Sequence, residues 1–235
     1  MKVYNLELAN VKWQMYLHEE DNIYGGEKKL RENEFYEPKT IEACFSLLDK
    51  KTIFVDIGAN IGEYALPCAK LAKKVIVIEP DLDRGKWLLD NFKLNNLTNT
   101  ILLNCALADY NGIGYMGHNQ HPSLSAKNFR FSKKEIYNGS EAITVTRFDD
   151  LFDEKIDVVK IDVEGSEYLV LNGMRKTIQN NPNIKIVLEV HETQMKQIFG
   201  IKPTTFYDFL TKTLQLSMER IKGKGLHYLL TRRKK

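Results

Sequence analysis

Ile53-Phe54-Val55-Asp56-Ile57-Gly58-Ala59-Asn60-Ile61-Gly62 is the stretch that decides the fold. A short apolar run with the pattern of a buried strand leads into a turn with two glycines. Tyr64, Ala65, Cys68, Ala69 and Leu71 then continue at helical spacing. About twenty residues after the turn, a second apolar run, Val75-Ile76-Val77-Ile78, ends in Glu79. Glycines after a strand let the backbone pass close to a bulky ligand, and a carboxylate at the tip of the next strand can accept from two ribose hydroxyls. The combination points to a nucleoside.

Working outward, strands are expected over 52–56, 74–79, 100–105, 157–162 and 184–189, with helices between them. The helix after the glycine turn starts near Ile61 and contains Pro67, which cannot donate to the carbonyl of Glu63, so a bend or a loosened first turn is expected. Further helices are expected over 83–95, 167–180 and 204–213. Two strand-like segments, 214–221 and 226–231, flank Lys222-Gly223-Lys224-Gly225 and form a terminal hairpin. The alternation is interrupted once, where Gly112–Met116 and Ile143–Thr146 bracket a long polar segment holding His118, His121, Ser123 and Ser125. Residues 1–50 lack the regular alternation, apart from a helix over 40–48 marked by Ile41, Cys44, Phe45 and Leu48. The fold class is α/β: a doubly wound, Rossmann-like, mostly parallel sheet closed by an antiparallel C-terminal hairpin.

The totals narrow the class. The 235 residues, 43% hydrophobic, suit one such domain with an accessory segment. Cys44, Cys68 and Cys105 are scattered without metal-ligand spacing, which argues against a disulfide framework or a zinc site and fits a reducing cytoplasm. The amino terminus has no basic-then-apolar leader, and no apolar run approaches the roughly 20 residues that span a bilayer. A net charge of +3, from 34 basic and 31 acidic residues, is not that of a dedicated nucleic-acid binder. Arg232-Arg233-Lys234-Lys235 is the one basic run, and such tails are usually solvated ends.

In an open α/β sheet the ligand lies beyond the carboxyl ends of the strands. The polar residues expected there are Asp56, Glu79, Asn104, Asp162 with Glu164, and Glu189 with His191. Gly58 and Gly62 stand four apart, so the dinucleotide fingerprint is incomplete, and no Lys-Ser/Thr pair follows to cradle phosphates. Asp56 would repel a pyrophosphate but accept from an ammonium, which favours S-adenosylmethionine as the cofactor.

Val55–Gly62, Ile78-Glu79-Pro80, Ala106-Leu107-Ala108-Asp109, Phe148-Asp149-Asp150-Leu151 and Lys160-Ile161-Asp162-Val163-Glu164-Gly165 stand in this order at similar spacing to the FkbM family of class I S-adenosylmethionine-dependent methyltransferases, which the chain resembles over most of residues 36–191. Tyr36-Glu37-Pro38 is also similar to a family segment. The resemblance implies that residues 51–235 are the methyltransferase domain, with an insertion at about 112–146, and that residues 1–50 are an accessory segment covering the active site. It implies a cofactor site of Glu37, Asp56, Gly58, Ala59, Asn60, Gly62, Glu79, Pro80, Asn104, Cys105 and Ala106. In that site Glu79 would take the ribose hydroxyls, Cys105 and Ala106 would border the adenine, and Glu37 would approach the methionine end. Asp162 and Glu164 would flank the methyl group, with Glu189 and His191 across the pocket.

A hydroxyl acceptor must lose a proton, and His191 is the candidate base, with Asp162 or Glu164 as alternatives. Asp162, Glu164, Glu189 and His191 could instead gather around a divalent ion, but spacing alone does not establish a metal site and none is assigned. The expected activity is O-methylation of a sugar, glycan, lipid headgroup or secondary metabolite. The alternatives are an RNA methyltransferase and a cofactor-binding protein without catalysis, and a nicotinamide dehydrogenase is a more distant one. A small-molecule or glycan acceptor is the expected partner, and nucleic acid is not favoured.

Overall fold

Trp13, Met15 and Leu17 are buried at every second position, and this period-two pattern makes a strand of Val11–Leu17 (β2). It pairs antiparallel with Lys2–Leu8 (β1) across a two-residue turn in which Ala9 and Asn10 both have positive φ. The hairpin lies within the stretch expected to be irregular, and the alternation at 13, 15 and 17 was its signal. The computed structural model describes residues 1–19, 27–118, 129–132 and 141–233; the polar run 20–26, His121, Ser123, Ser125 and Lys234-Lys235 lie outside the described residues.

Glu27–Arg31 (α1) and Pro38–Ser46 (α2) follow, the second opening on a proline at its first position, where no N–H is needed. Ile53–Ile57 (β3), Ala65–Leu71 (α3), Lys74–Ile78 (β4), Leu82–Leu94 (α4) and Thr100–Leu103 (β5) then alternate in the expected order. α3 starts four residues later than its pattern suggested, so Pro67 falls in the first turn, where a missing N–H leaves no helix carbonyl unserved. Asp81 caps α4 by accepting from the Arg84 N–H at 2.8 Å.

The interruption contains a sheet of its own. Ala106–Leu107 (β6), Gly112–His118 (β7), Phe129–Ser132 (β8) and Glu141–Thr146 (β9) are ordered β6-β9-β7-β8 among the described residues. After a 3₁₀ turn at Phe148–Asp150 come Val158–Ile161 (β10), Glu167–Asn172 (α5), Arg175–Asn180 (α6), Lys185–Glu189 (β11) and Glu192–Phe199 (α7). Pro203–Asp208 (α8) then runs into a π-helical turn, Phe209–Thr213, ahead of Leu216–Arg220 (β12) and His227–Arg232 (β13). The single helix expected over 167–180 is broken at Gly173. Asp149 supplies the reason: its N–H donates to the Gly173 carbonyl, and its carboxylate accepts from the N–H groups of Lys176 and Thr177, capping a new helix start. α7 was not anticipated.

The main sheet has the order β12-β13-β11-β10-β3-β4-β5 among the described residues. β10 lies between β11 and β3, all parallel, and β13 runs against its neighbours. The terminal hairpin forms an antiparallel edge of the sheet, as its sequence predicts, with β13 pairing β11 and β12 outermost. Alternate residues bury on opposite faces. Val55, Ile57, Ile76 and Ile78 pack with Val170, Met195 and Phe206 of α5, α7 and α8, while Phe54, Val75 and Val77 pack with Ile41, Leu66 and Leu88 of α2, α3 and α4. The β1–β2 hairpin joins the second face through α4: Trp87 Nε1 donates to the Tyr16 carbonyl, Asn91 Oδ1 accepts from the Tyr16 N–H, and Asn95 both accepts from and donates to the Gln14 backbone. Three side chains one helical turn apart thus satisfy the exposed edge of β2.

Candidate active site

Strand order reverses between β3 and β10, and a ligand crevice opens at such a reversal. Gly58, just past β3, has a φ of +80°, and a Cβ there would stand 1.8 Å from the Asp162 carbonyl oxygen. The turn therefore needs glycine twice over, for its backbone angle and for the close approach of the two strand ends. Asn60, also at positive φ, directs its N–H to Glu79 Oε2 at 2.8 Å, and the Asp81 N–H meets Glu79 Oε1 at 3.0 Å. Burial pushes the Glu79 carboxyl up to about 7, against the pull of Arg84 and these two N–H groups. Each carboxylate oxygen accepts one backbone bond and keeps capacity for another.

The cavity here is lined by Gly58, Asn60, Glu79 and Pro80, by Cys105 and Ala106, and by Asp162 and Glu164. All eight are residues singled out from the sequence. Reading the sequence missed the apolar walls Ile78, Leu107, Met116 and Ile143, together with Arg84 and Ser166. Met116 and Ile143 belong to the second sheet, and no strand-tip rule points to them. Other expected residues stand behind the lining. Asn104 Nδ2 donates to the Glu79 carbonyl at 2.8 Å and so braces the turn from β5. Ala59 packs in the core, and its carbonyl accepts from the Gly62 N–H. Asp56 is fully buried on the face of β3 shared with Phe54; its carboxyl has no hydrogen-bond partner among the described residues, and burial raises it to about 6 despite Lys160 beside it in the strand register.

Beside the cavity lies a cluster of charge. The buried Lys160 Nζ is 3.0 Å from Asp162 Oδ2 and 4.3 Å from the centre of the Tyr64 ring. Burial works against its charge, but Asp162, Asp56, Glu189 and Glu37 outweigh burial and hold the ammonium well above its ordinary pKa. The Tyr64 hydroxyl donates to Glu37 Oε2 at 2.6 Å, which brings the amino-terminal segment to the strand tips. His227, at the start of β13, faces Glu189 through the antiparallel register, and its Nε2 lies 3.0 Å from Glu37 Oε1 and 3.4 Å from Glu189 Oε2. No sequence motif marked His227, which reaches the site only through strand pairing.

His191 opens α7, and its Nδ1 lies 2.8 Å from Glu167 Oε1; Nε2 is 3.4 Å from Glu189 and 3.7 Å from Glu164. Burial pulls the imidazolium down, but Glu167, Asp162 and Glu164 hold its pKa at about 10, so at neutral pH it is a cation. Glu164 is the opposite case. Burial and Asp162 raise its carboxyl to about 7, with His191 as the counterweight. Its backbone has a φ of +50°, uncommon for a residue with a side chain, and Gly165 follows at +105°, where a Cβ would stand 2.7 Å from Gln194 Cβ of α7. This turn aims Glu164 into the cavity while α7 packs directly beneath.

The family model described as the methyltransferase FkbM domain matches residues 56–219. Hexuronic acid methyltransferase AglP of Haloferax volcanii is 30% identical over 161 residues, covering 66% of this chain; the chain spans 62% of that relative's length. Among solved structures, a methyltransferase FkbM from Methylobacillus flagellatus KT superposes with a TM-score of 0.52 at 18% identity, over 77% of this chain and 44% of that one. A Streptococcus mutans protein solved in complex with SAH superposes at 0.50 with 12% identity, over 81% and 94% of the two chains. At these identities the two structures speak for the fold.

Proposed function

The chain belongs to the FkbM methyltransferase family, and from that premise we propose that it carries a methyl group from S-adenosylmethionine to a hydroxyl of a sugar or glycan. The cavity residues fit the cofactor. Glu79 keeps acceptor capacity for ribose hydroxyls, Ile78, Leu107, Met116 and Ile143 give apolar surface for a base, and the Gly58 turn, which a larger residue could not make against the Asp162 carbonyl, puts backbone on the cavity wall. When bound, the cofactor supplies an electrophilic methyl group on a sulfonium. The chain's own residues have to hold the acceptor oxygen in line with it, and such alignment can contribute roughly 7–11 kcal/mol.

The observation that carries the acceptor class is the pairing of Glu164 and His191. A carboxylate whose pKa lies at about 7 in the cavity can take a hydroxyl proton near neutrality, whereas an imidazolium held to about 10 cannot. Glu164 is thus the base and His191 a fixed cation that orients it. A carboxylate acceptor is already ionised near neutrality and would need no base. This separates the proposed reaction from methylation of an acid group, which the Haloferax relative's hexuronic acid substrate also offers. The basic residues Arg232 and Arg233 line a groove with Lys51 and Lys185 around Thr52 and Ile184, next to the strand starts of β3 and β11 and away from the cavity. They give no support to an RNA acceptor.

The test is transfer of labelled methyl from S-adenosylmethionine to oligosaccharides with and without uronic acids, followed by mild alkali. A methyl ether on a hydroxyl survives alkali, whereas an ester releases methanol. Alkali-labile label, or label in RNA alone, would overturn the proposal.

A further inference from the structure

We propose that Glu37, Glu189 and His227 form a site for one divalent transition-metal ion, of the Mn²⁺ or Zn²⁺ type, at the seam between the amino-terminal segment and the C-terminal strand pair. One ligand atom from each residue lies within 4.8 Å of the other two. The second observation is His227 itself. It is 1% exposed; Nε2 is ion-paired with both carboxylates, 3.0 Å from Glu37 Oε1 and 3.4 Å from Glu189 Oε2, yet neither contact is aligned as a hydrogen bond, and Nδ1 has no hydrogen-bond partner among the described residues.

Separations of that size without hydrogen-bond alignment match two ligands sharing one ion: bonds of about 2.1 Å meeting at roughly 90–110° place donor atoms this far apart. The remaining carboxylate oxygens are already engaged elsewhere. Glu37 Oε2 accepts from Tyr64, and Glu189 Oε1 faces His191, so one oxygen of each residue is left for the seam. Lys160 is taken up by Asp162. Without an ion, Glu189 and Glu37 outweigh burial and hold the His227 pKa at about 9, so metal binding releases one proton; the neutral imidazole and two carboxylates then balance a dication, and one nitrogen with two oxygens is a donor set suited to first-row transition ions more than to magnesium. The three ligands come from the segment before α2, the end of β11 and the start of β13, so the ion would tie parts of the chain that are far apart in sequence.

The experiment is calorimetric titration of chelator-stripped full-length protein with MnCl₂ and with ZnCl₂, without cofactor or acceptor, together with pulsed electron paramagnetic resonance of the Mn²⁺ form. The expected result is one ion per chain, a rise in melting temperature, and coupling to a single imidazole nitrogen. Glu37→Gln and Glu189→Gln should each weaken binding by at least about tenfold. Glu37 is partly exposed, so its variant should fold, which circular dichroism checks. Glu164→Gln should leave metal affinity unchanged and so separates this site from the neighbouring Asp162, Glu164 and His191 group. No heat with either metal at about 1 mM would overturn the proposal. So would binding that Glu37→Gln leaves intact, or binding that Glu164→Gln abolishes.

Discussion

The two sides of the strand tips are built differently. On one side the buried Glu79 carboxylate is held by N–H groups from Asn60 and Asp81, its own near neighbours around the β3 and β4 tips, and is walled by apolar side chains. On the other side Glu37, Asp162, Glu164, Glu189, His191 and His227 converge from the amino-terminal segment, β10, β11, α7 and β13. The first arrangement suits binding of one fixed ligand. The second sets several pKa values apart within a few ångströms, as proton transfer requires. If this division is right, damage to the first side should appear in cofactor affinity and damage to the second in turnover.

The largest expected effect is on the second side. Glu164→Gln should lower kcat by about 10²–10⁴ and leave cofactor affinity within a few-fold. In the wild type the rate should climb as pH rises through about 7, where Glu164 loses its proton, and the variant should lack that limb. Steady-state kinetics across pH would show it; a weakened cofactor affinity instead would erase the contrast between the two sides.

Gly58→Ala attacks the first side. A Cβ at 1.8 Å from the Asp162 carbonyl forces the two strand ends apart, so cofactor affinity should drop by more than about a hundredfold, with a lower melting temperature. Calorimetry with S-adenosylmethionine reads the first effect and thermal unfolding the second. Normal affinity would mean that the strand ends can separate at little cost.

Glu79→Gln is milder. It preserves shape but loses the charged acceptor, and should weaken the cofactor by about 10- to 100-fold, the loss of a charge-assisted bond of roughly 1.5–3 kcal/mol, with kcat nearly unchanged. A fall in kcat without a change in affinity would reverse the assignment.

The smallest effect is on stability. The folded Glu79 carboxyl, at about 7, lies above its ordinary 4.5, so between those values the folded chain holds a proton that the unfolded chain has released. This contribution to stability is complete below about 4.5 and fades as pH rises to about 7. Ligand-free Glu79→Gln should therefore gain on the wild type across that window, by at most about 1.4 kcal/mol per pH unit in denaturant titrations. A difference that does not vary with pH would show that Glu79 is ionised throughout.

Legibility follows the same division. Gly58, Asn60, Glu79, Pro80, Cys105 and Ala106 line the cavity because each sits at or just beyond a strand end, and a strand's end can be read from its apolar run. Asp56 shows the limit of that rule: one residue short of the end of β3, it faces the core instead of the cavity, since side chains alternate along a strand. The long helix expected over 167–180 failed for a similar reason. Its pattern was sound, but a tertiary carboxylate, Asp149, offered a competing cap. Met116 and Ile143 were invisible because they belong to a second sheet whose position over the cavity depends on packing.

By itself the sequence determined the parallel α/β order, the glycine turn and the carboxylate at the tip of the second parallel strand, since these rest on periodicity, backbone freedom and residues a few places apart. Only the tertiary structure decided that β13 enters between β12 and β11, that His227 therefore stands opposite Glu189, and that Glu37 meets both. Strand register and the burial of charge join residues with no relation along the chain, and the electrostatics of the charged cluster exist only once those residues are brought together.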